Sequence, residues 1–133
     1  MKRFVWFIMM LLLSVSYASA QNAPSEIKFN ETTHDFGTFS ENKPVVSYTF
    51  TFTNVSEKVP LVLNQVMASC GCTVAEYTIE PVLPGKTGTV KVTYDGTGKY
   101  PGKFKKSITV RSNAKTELVR LFIEGDMTPK DAQ

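Results

Sequence analysis

The stretch that decides the fold is VSYTFTFT, residues Val46–Thr53, in which apolar and polar side chains alternate without a break. Alternation with a period of two, built from aromatic and β-branched residues, predicts a strand with one face in a core and the other in water. The same pattern recurs over residues 89–94, 104–111 and 119–123. Four strongly patterned segments therefore predict that β-sheet, and not helix, organises the chain.

Shorter extended segments surround these four, at residues 27–29, 35–39, 60–68 and 74–79. Proline, glycine and asparagine separate them, as expected for turns. About seven strands without a convincing helical period predict an all-β fold, an immunoglobulin-like β-sandwich. A closed barrel is the alternative architecture that the pattern leaves open.

The first 20 residues have the layout of a secretory signal peptide. Lys2-Arg3 precedes an apolar run over residues 4–13, and Ala18-Ser19-Ala20 supplies a small-x-small cleavage site. The predicted organisation is a signal peptide at 1–20, one domain at 21–126 and a flexible polar tail at 127–133. We therefore expect an exported protein, periplasmic or secreted, and the sequence offers no second apolar run for a membrane span.

Charge gives no support for a nucleic-acid partner. The net charge of +3 includes Lys2 and Arg3, and removing them lowers the basic count from 15 to 13 against 12 acidic residues. A mature charge of +1 lacks the strong basic character of nucleic-acid-binding domains. A mildly basic patch remains around one predicted hairpin, and this pattern is typical of a solvated strand face. Its members are Lys99, Lys103, Lys105, Lys106 and Arg111.

Several short motifs together carry a resemblance to a known family. They are 34–37 (HDFG), 48–54 (YTFTFTN), 69–73 (SCGCT), 84–88 (PGKTG), 102–104 (GKF) and 112–113 (SN). With them the chain resembles a family of secreted bacterial domains of unknown function that carry an SCGCT motif and are similar to Hydin-type immunoglobulin-like domains. The resemblance covers roughly Ile27–Gly125. It implies a seven-stranded sandwich and an exported location, and it implies no activity.

The only two cysteines, Cys70 and Cys72, are the first candidates for chemistry. An oxidising compartment favours a disulfide. Residues two apart on an extended strand have Cα atoms about 6.5 Å apart, near the limit for a disulfide, so the bond needs a kink at Gly71. Closing a three-residue loop would contribute only about 1.6 kcal/mol. A structural disulfide, a pair of buried thiols, a redox-active pair and a metal site all stay open.

The metal interpretation points to copper. Two thiolates can hold a soft ion such as Cu(I), which accepts two or three sulfur or nitrogen ligands. Met67 and His34 are the candidate further ligands, and Met127 is a more distant one. A structural zinc site is disfavoured, because zinc needs four ligands and the mature chain offers two cysteines and one histidine.

No catalytic constellation is predicted. His34 and Asp35 are adjacent, and neighbours on an extended segment point to opposite faces, so they cannot easily act as the base and the orienting group of a triad. The favoured hypothesis is an exported, non-enzymatic binding or structural module, which contacts a protein or a cell-envelope component through a sheet edge or end loops. The alternative is a copper-handling or thiol-redox protein that uses Cys70-Gly71-Cys72.

Overall fold

Eight β-strands make up the described part of the molecule. The computed structural model describes residues 25–130, so the predicted signal peptide and residues 131–133 lie outside the described residues. The strands are β1 (Ile27–Phe29), β2 (Thr33–Ser40), β3 (Val45–Asn54), β4 (Leu63–Ala68), β5 (Thr73–Tyr77), β6 (Thr87–Asp95), β7 (Gly102–Ser112) and β8 (Leu118–Thr128). This part of the chain contains no helix that could span a membrane.

The strands form two four-stranded sheets, ordered β1-β3-β6-β5 and β2-β8-β7-β4. All neighbours are antiparallel except β2 and β8, which are parallel. Apart from β2, this is the strand arrangement of a constant-type immunoglobulin domain. The predicted all-β, immunoglobulin-like sandwich is confirmed, and the barrel alternative is wrong because the two sheets stay separate. An eighth strand arises because the first two strands join different sheets.

The core lies between the sheets and is built from the alternating residues that the sequence indicated. The inward side chains of the four long strands are at most 1% exposed. They are Phe50 and Phe52 on β3, Val90 and Val92 on β6, Ile108 and Val110 on β7, and Leu121 and Ile123 on β8. Burial of one face of each strand stabilises the sandwich through the hydrophobic effect, at about 25 cal/mol per Å² of apolar surface.

The last strand is longer than predicted. β8 continues to Thr128, and Met127 is 1% exposed, so the domain boundary at residue 126 is two residues too early. Met127 pairs with Gly102 of β7. Its sulfur also lies over Gly96, where an added Cβ would come within 2.7 Å of it. This packing makes Met127 a core residue and not part of a flexible tail.

One cross-strand pair in the first sheet joins an aromatic ring to a glycine. Phe52 of β3 lies opposite Gly88 of β6. A Cβ added at Gly88 would overlap the tip of the Phe52 ring, with Cε2 at 2.9 Å and Cε1 at 3.0 Å. Phe52 is fully buried, so its ring has no free space to move into. Gly88 is therefore required for packing.

We predict that Gly88→Ala lowers the free energy of unfolding by about 1–3 kcal/mol, because the added methyl group overpacks the core. Denaturant-induced unfolding measures the change. Gly71→Ala is the matched control. Apart from Gly71 and its two chain neighbours, no heavy atom of the described residues lies within 4 Å of a Cβ built at Gly71, so this variant should unfold like the parent. Equal stability of both variants would contradict the assigned role of Gly88.

Candidate functional site

The two cysteines lie in the turn that carries the chain from one sheet to the other. β4 ends in one sheet, β5 begins in the other, and Ser69–Cys72 connects them. The Ser69 N–H donates to the Ser107 carbonyl of β7 at 2.9 Å. The Cys72 carbonyl accepts the N–H of Asp95 at 2.8 Å, at the end of β6. Each end of the turn is therefore hydrogen bonded to its own sheet.

Cys70 and Cys72 form a disulfide, with their Cα atoms 5.3 Å apart. The separation is shorter than on an extended strand because the chain turns here, with the Thr73 N–H donating to the Cys70 carbonyl at 3.2 Å. Gly71 is exposed and has no positive φ. The predicted kink is present, but neither backbone conformation nor space requires glycine at this position.

The two cysteines differ in exposure, and their sulfurs share one polar neighbour. Cys72 is 9% exposed and belongs to the core, whereas Cys70 is partly buried against it. The Thr73 hydroxyl oxygen lies 3.7 Å from Cys70 Sγ and 3.8 Å from Cys72 Sγ. In the reduced protein this hydroxyl can donate a hydrogen bond to either sulfur. Nothing in the spacing of the cysteines predicted this role for Thr73.

An aromatic pair lies next to the turn. Tyr94 pairs with Thr73 across β5 and β6, and its ring stacks on Phe104 of β7 at a centroid distance of 4.0 Å. Burial raises the pKa of Tyr94, with a further contribution from the charge of Asp95. Hydrogen bonds from the side chain and backbone of Thr97 lower the pKa of Asp95. At neutral pH the neighbours of the turn are therefore a neutral phenol and an anionic carboxylate.

His34 does not meet the cysteines. It lies on β2, at the opposite edge of the sheet from β4, in a row with Ile123 and Lys106. Three strand spacings place β2 about 14 Å from the line of β4. The His34 ring stacks on Tyr48 at 3.6 Å between centroids and belongs to an aromatic cluster at that edge.

Met67 is near Cys70 in the chain but lies on the other face of β4. The Met67 side chain is 53% exposed. Cys70 lies an even number of residues from Val66 and Ala68, which point inward and are partly buried. Of the cysteines and the two nearer candidate ligands, Met67 and His34, the structure brings together Cys70 and Cys72 alone. Between Ser25 and Lys130 no group of three or more His, Cys, Asp or Glu side chains could hold a metal ion.

We predict that reducing the disulfide lowers the free energy of unfolding by at most about 1.6 kcal/mol, because the bond closes only a three-residue loop. Denaturant unfolding with and without dithiothreitol measures this. The Cys70→Ala variant should match the reduced protein, whereas Cys72→Ser should be less stable, because it buries a hydroxyl in the core. Unfolding of the whole domain on reduction would show that the bond has a larger structural role.

Comparison with solved structures shows the same fold in proteins of different kinds. A protein of unknown function from Porphyromonas gingivalis W83 matches with a TM-score of 0.69 and 16% identity, over 84% of this chain and 51% of that one. The ASH/PapD-like domain of human CEP192 matches with a TM-score of 0.60 and 11% identity, over 88% and 97% of the two chains. The Vibrio cholerae protease VesB matches with a TM-score of 0.58 and 14% identity, over 77% and 31%. At these identities the likeness shows the fold alone.

The present chain spans about half the length of the Porphyromonas gingivalis protein. No curated protein matches the sequence. A family model, described as a protein of unknown function (DUF1573), matches residues 27–127, almost the whole sandwich and nearly the range expected from the motifs. The chain therefore belongs to the DUF1573 family.

Proposed function

We propose that this DUF1573 domain is an exported, non-enzymatic module that binds an extended segment of another protein in the cell envelope. The binding surface is the β4–β5 side, which we define as the outer edges of β4 and β5 together with the Ser69–Cys72 turn between them. The likeness in fold to the ASH/PapD-like domain is compatible with a binding role. The signal-peptide pattern at residues 1–20 supports export.

The exposed apolar side chains of the β4–β5 side carry this proposal. Met67, Val74 and Ile79 are 53%, 59% and 70% exposed, and they lie on β4, on β5 and just after β5. β4 and β5 are the last strands of their sheets, so their outer backbone groups can pair with an added strand. An open strand edge beside exposed apolar side chains is suited to binding an extended polypeptide.

The opposite side of the sandwich is protected against such pairing. β1 has only three residues. β2 is interrupted by an irregularity between Asp35 and Thr38, where Gly37 has a φ of 68° and donates its N–H to the Asp35 carboxylate at 2.7 Å. Short strands and bulges disfavour the addition of another strand. This contrast supports the β4–β5 side as the binding surface.

Thiol redox is the second candidate function, favoured by the partial exposure of Cys70 and by the Thr73 hydroxyl beside both sulfurs. Equilibration of the protein in glutathione buffers tests it. A midpoint above about −230 mV would mark an exchangeable pair, and one below about −300 mV a structural disulfide. Copper binding would need Cys70 and Cys72 in the reduced form and a further ligand other than Met67 and His34.

We predict that a photoreactive benzoylphenylalanine placed at Met67 or Val74 gives a discrete cross-linked adduct in the cells that make the protein. The same group at Lys28, an exposed position on β1, is the matched control and should give none. Gel analysis after irradiation detects the adduct, and intact mass of the periplasmic or secreted fraction tests export. Equal labelling at all three positions, no labelling at all, or an uncleaved chain in the cytoplasm would contradict the proposal.

A further inference from the structure

We propose that the first residues of β7, Gly102–Lys106, form a further binding edge next to the β4–β5 side and accept an acidic–apolar–acidic segment of another protein as an added strand in the line of β4. This inference rests on the proposed binding function and names the surface and the chemistry of the partner. We call Gly102–Lys106 the open β7 edge. It lies immediately beyond the Cys70–Cys72 turn, on the same side of the sandwich as β4 and β5.

The edge is open because β4 leaves the sheet before β7 has ended. β4 pairs with β7 from Leu63 to Ala68, and the last hydrogen bond joins the Ser69 N–H to the Ser107 carbonyl. At Cys70 the chain turns away towards the other sheet. β7 extends five residues further, to Gly102, and there it pairs only with β8 among residues 25–130.

The direction of the backbone groups on this edge follows from two hydrogen bonds. The Ser107 carbonyl points to the β4 side, since it accepts from Ser69, whereas the Ser112 N–H points to β8, since it donates to the Glu117 carbonyl. In an antiparallel ladder the two directions alternate along the strand. The backbone N–H and C=O groups of the odd-numbered residues of β7 therefore point towards the line of β4. The N–H and C=O groups of Lys103 and Lys105 point to the open side, where an added strand would pair with all four groups.

The side chains along the edge specify what the partner should contain. Lys103 and Lys105 are exposed on the outer face, and Phe104 lies between them on the inner face, stacked on Tyr94. Residues directly opposite each other on neighbouring strands share a face. An apolar partner residue opposite Phe104 would cover the aromatic stack, and acidic residues on either side of it would pair with the two lysines.

The positive charge of Lys103 and Lys105 also favours a different protein, and not a second copy of this chain, as the binding partner. If two copies paired through this edge with Phe104 opposite Phe104, Lys103 of one would lie opposite Lys105 of the other. Like charges directly opposite are destabilising, and lysines on edge strands act against self-association. In the β7–β8 register Asp126 lies opposite Lys103 and Glu124 lies opposite Lys105. The Lys105 ammonium lies over the Phe122 ring of β8, 5.0 Å from its centroid. On the β4 side no strand within residues 25–130 pairs with Lys103 or Lys105, and both side chains are exposed, so carboxylates of a partner strand could reach them.

Titration of the protein without its predicted signal peptide, with two synthetic peptides, tests the inference. One peptide has the sequence TEVET, and its matched control TKVKT carries the opposite charge. We expect TEVET to shift the backbone amide NMR signals of Lys103 and Lys105 and to slow their hydrogen exchange, with at least tenfold weaker binding of TKVKT. Equal binding of both peptides, shifts confined to other strands, or no binding at millimolar concentration would overturn the inference.

Comparison of Lys105→Pro with Lys105→Ala separates backbone pairing from charge, because both variants remove the ammonium group and only the proline removes the backbone N–H. Lys105→Pro should weaken TEVET binding at least tenfold more than Lys105→Ala does, without breaking the β7–β8 ladder, because the missing N–H points to the open side. If that variant fails to fold, the double variant Lys103→Glu with Lys105→Glu decides, because it should bind TKVKT better than TEVET. An unchanged preference would overturn the inference. Cross-links from Met67 and Val74 without peptide binding at β7 would leave the broader function standing and remove this site alone.

Discussion

The crossing from one sheet to the other at Ser69–Cys72 is the constraint on which the binding side of this molecule depends. Facing sheets lie about 10 Å apart, and four residues have to span that gap. A backbone hydrogen bond holds each end of the crossing, and the disulfide closes its middle. Because the crossing begins at Ser69, it fixes where β4 stops. The length of β7 that stays uncovered is therefore set by the position of the cysteines.

Much of the fold could be predicted because burial of one strand face leaves a period of two in the sequence. Val46–Thr53 and its three counterparts became the central strands, with the expected residues in the core. The topology could not be predicted in this way. β1 and β2 are adjacent in sequence and join different sheets, and β2 runs parallel to β8, which follows some 80 residues later. The sequence pattern does not place Met127 in the core, because its contacts with Gly96 and Gly102 are made between distant segments.

The site was predicted in part. Cys70 and Cys72 had to lie close together, since they are two residues apart. Met67 is also near in sequence, but its alternation phase places it on the outer face, and His34 stacks on Tyr48 at the other edge. The open edge depends on the relative lengths of β4 and β7, which meet through the Ser69–Ser107 pair, 38 residues apart in the chain. No local sequence pattern predicts such a difference in strand length.

The Phe52–Gly88 pair helps to determine the register of β3 and β6 in the first sheet. β3 and β6 are paired over nine residues but are far apart in the chain, so no tight turn can set their register. A shift by one residue would place Thr87 or Thr89 under the phenyl ring and expose the apolar face of one strand. Gly88 thus leaves the space that the Phe52 ring occupies, and this makes misaligned pairings of the two strands unfavourable.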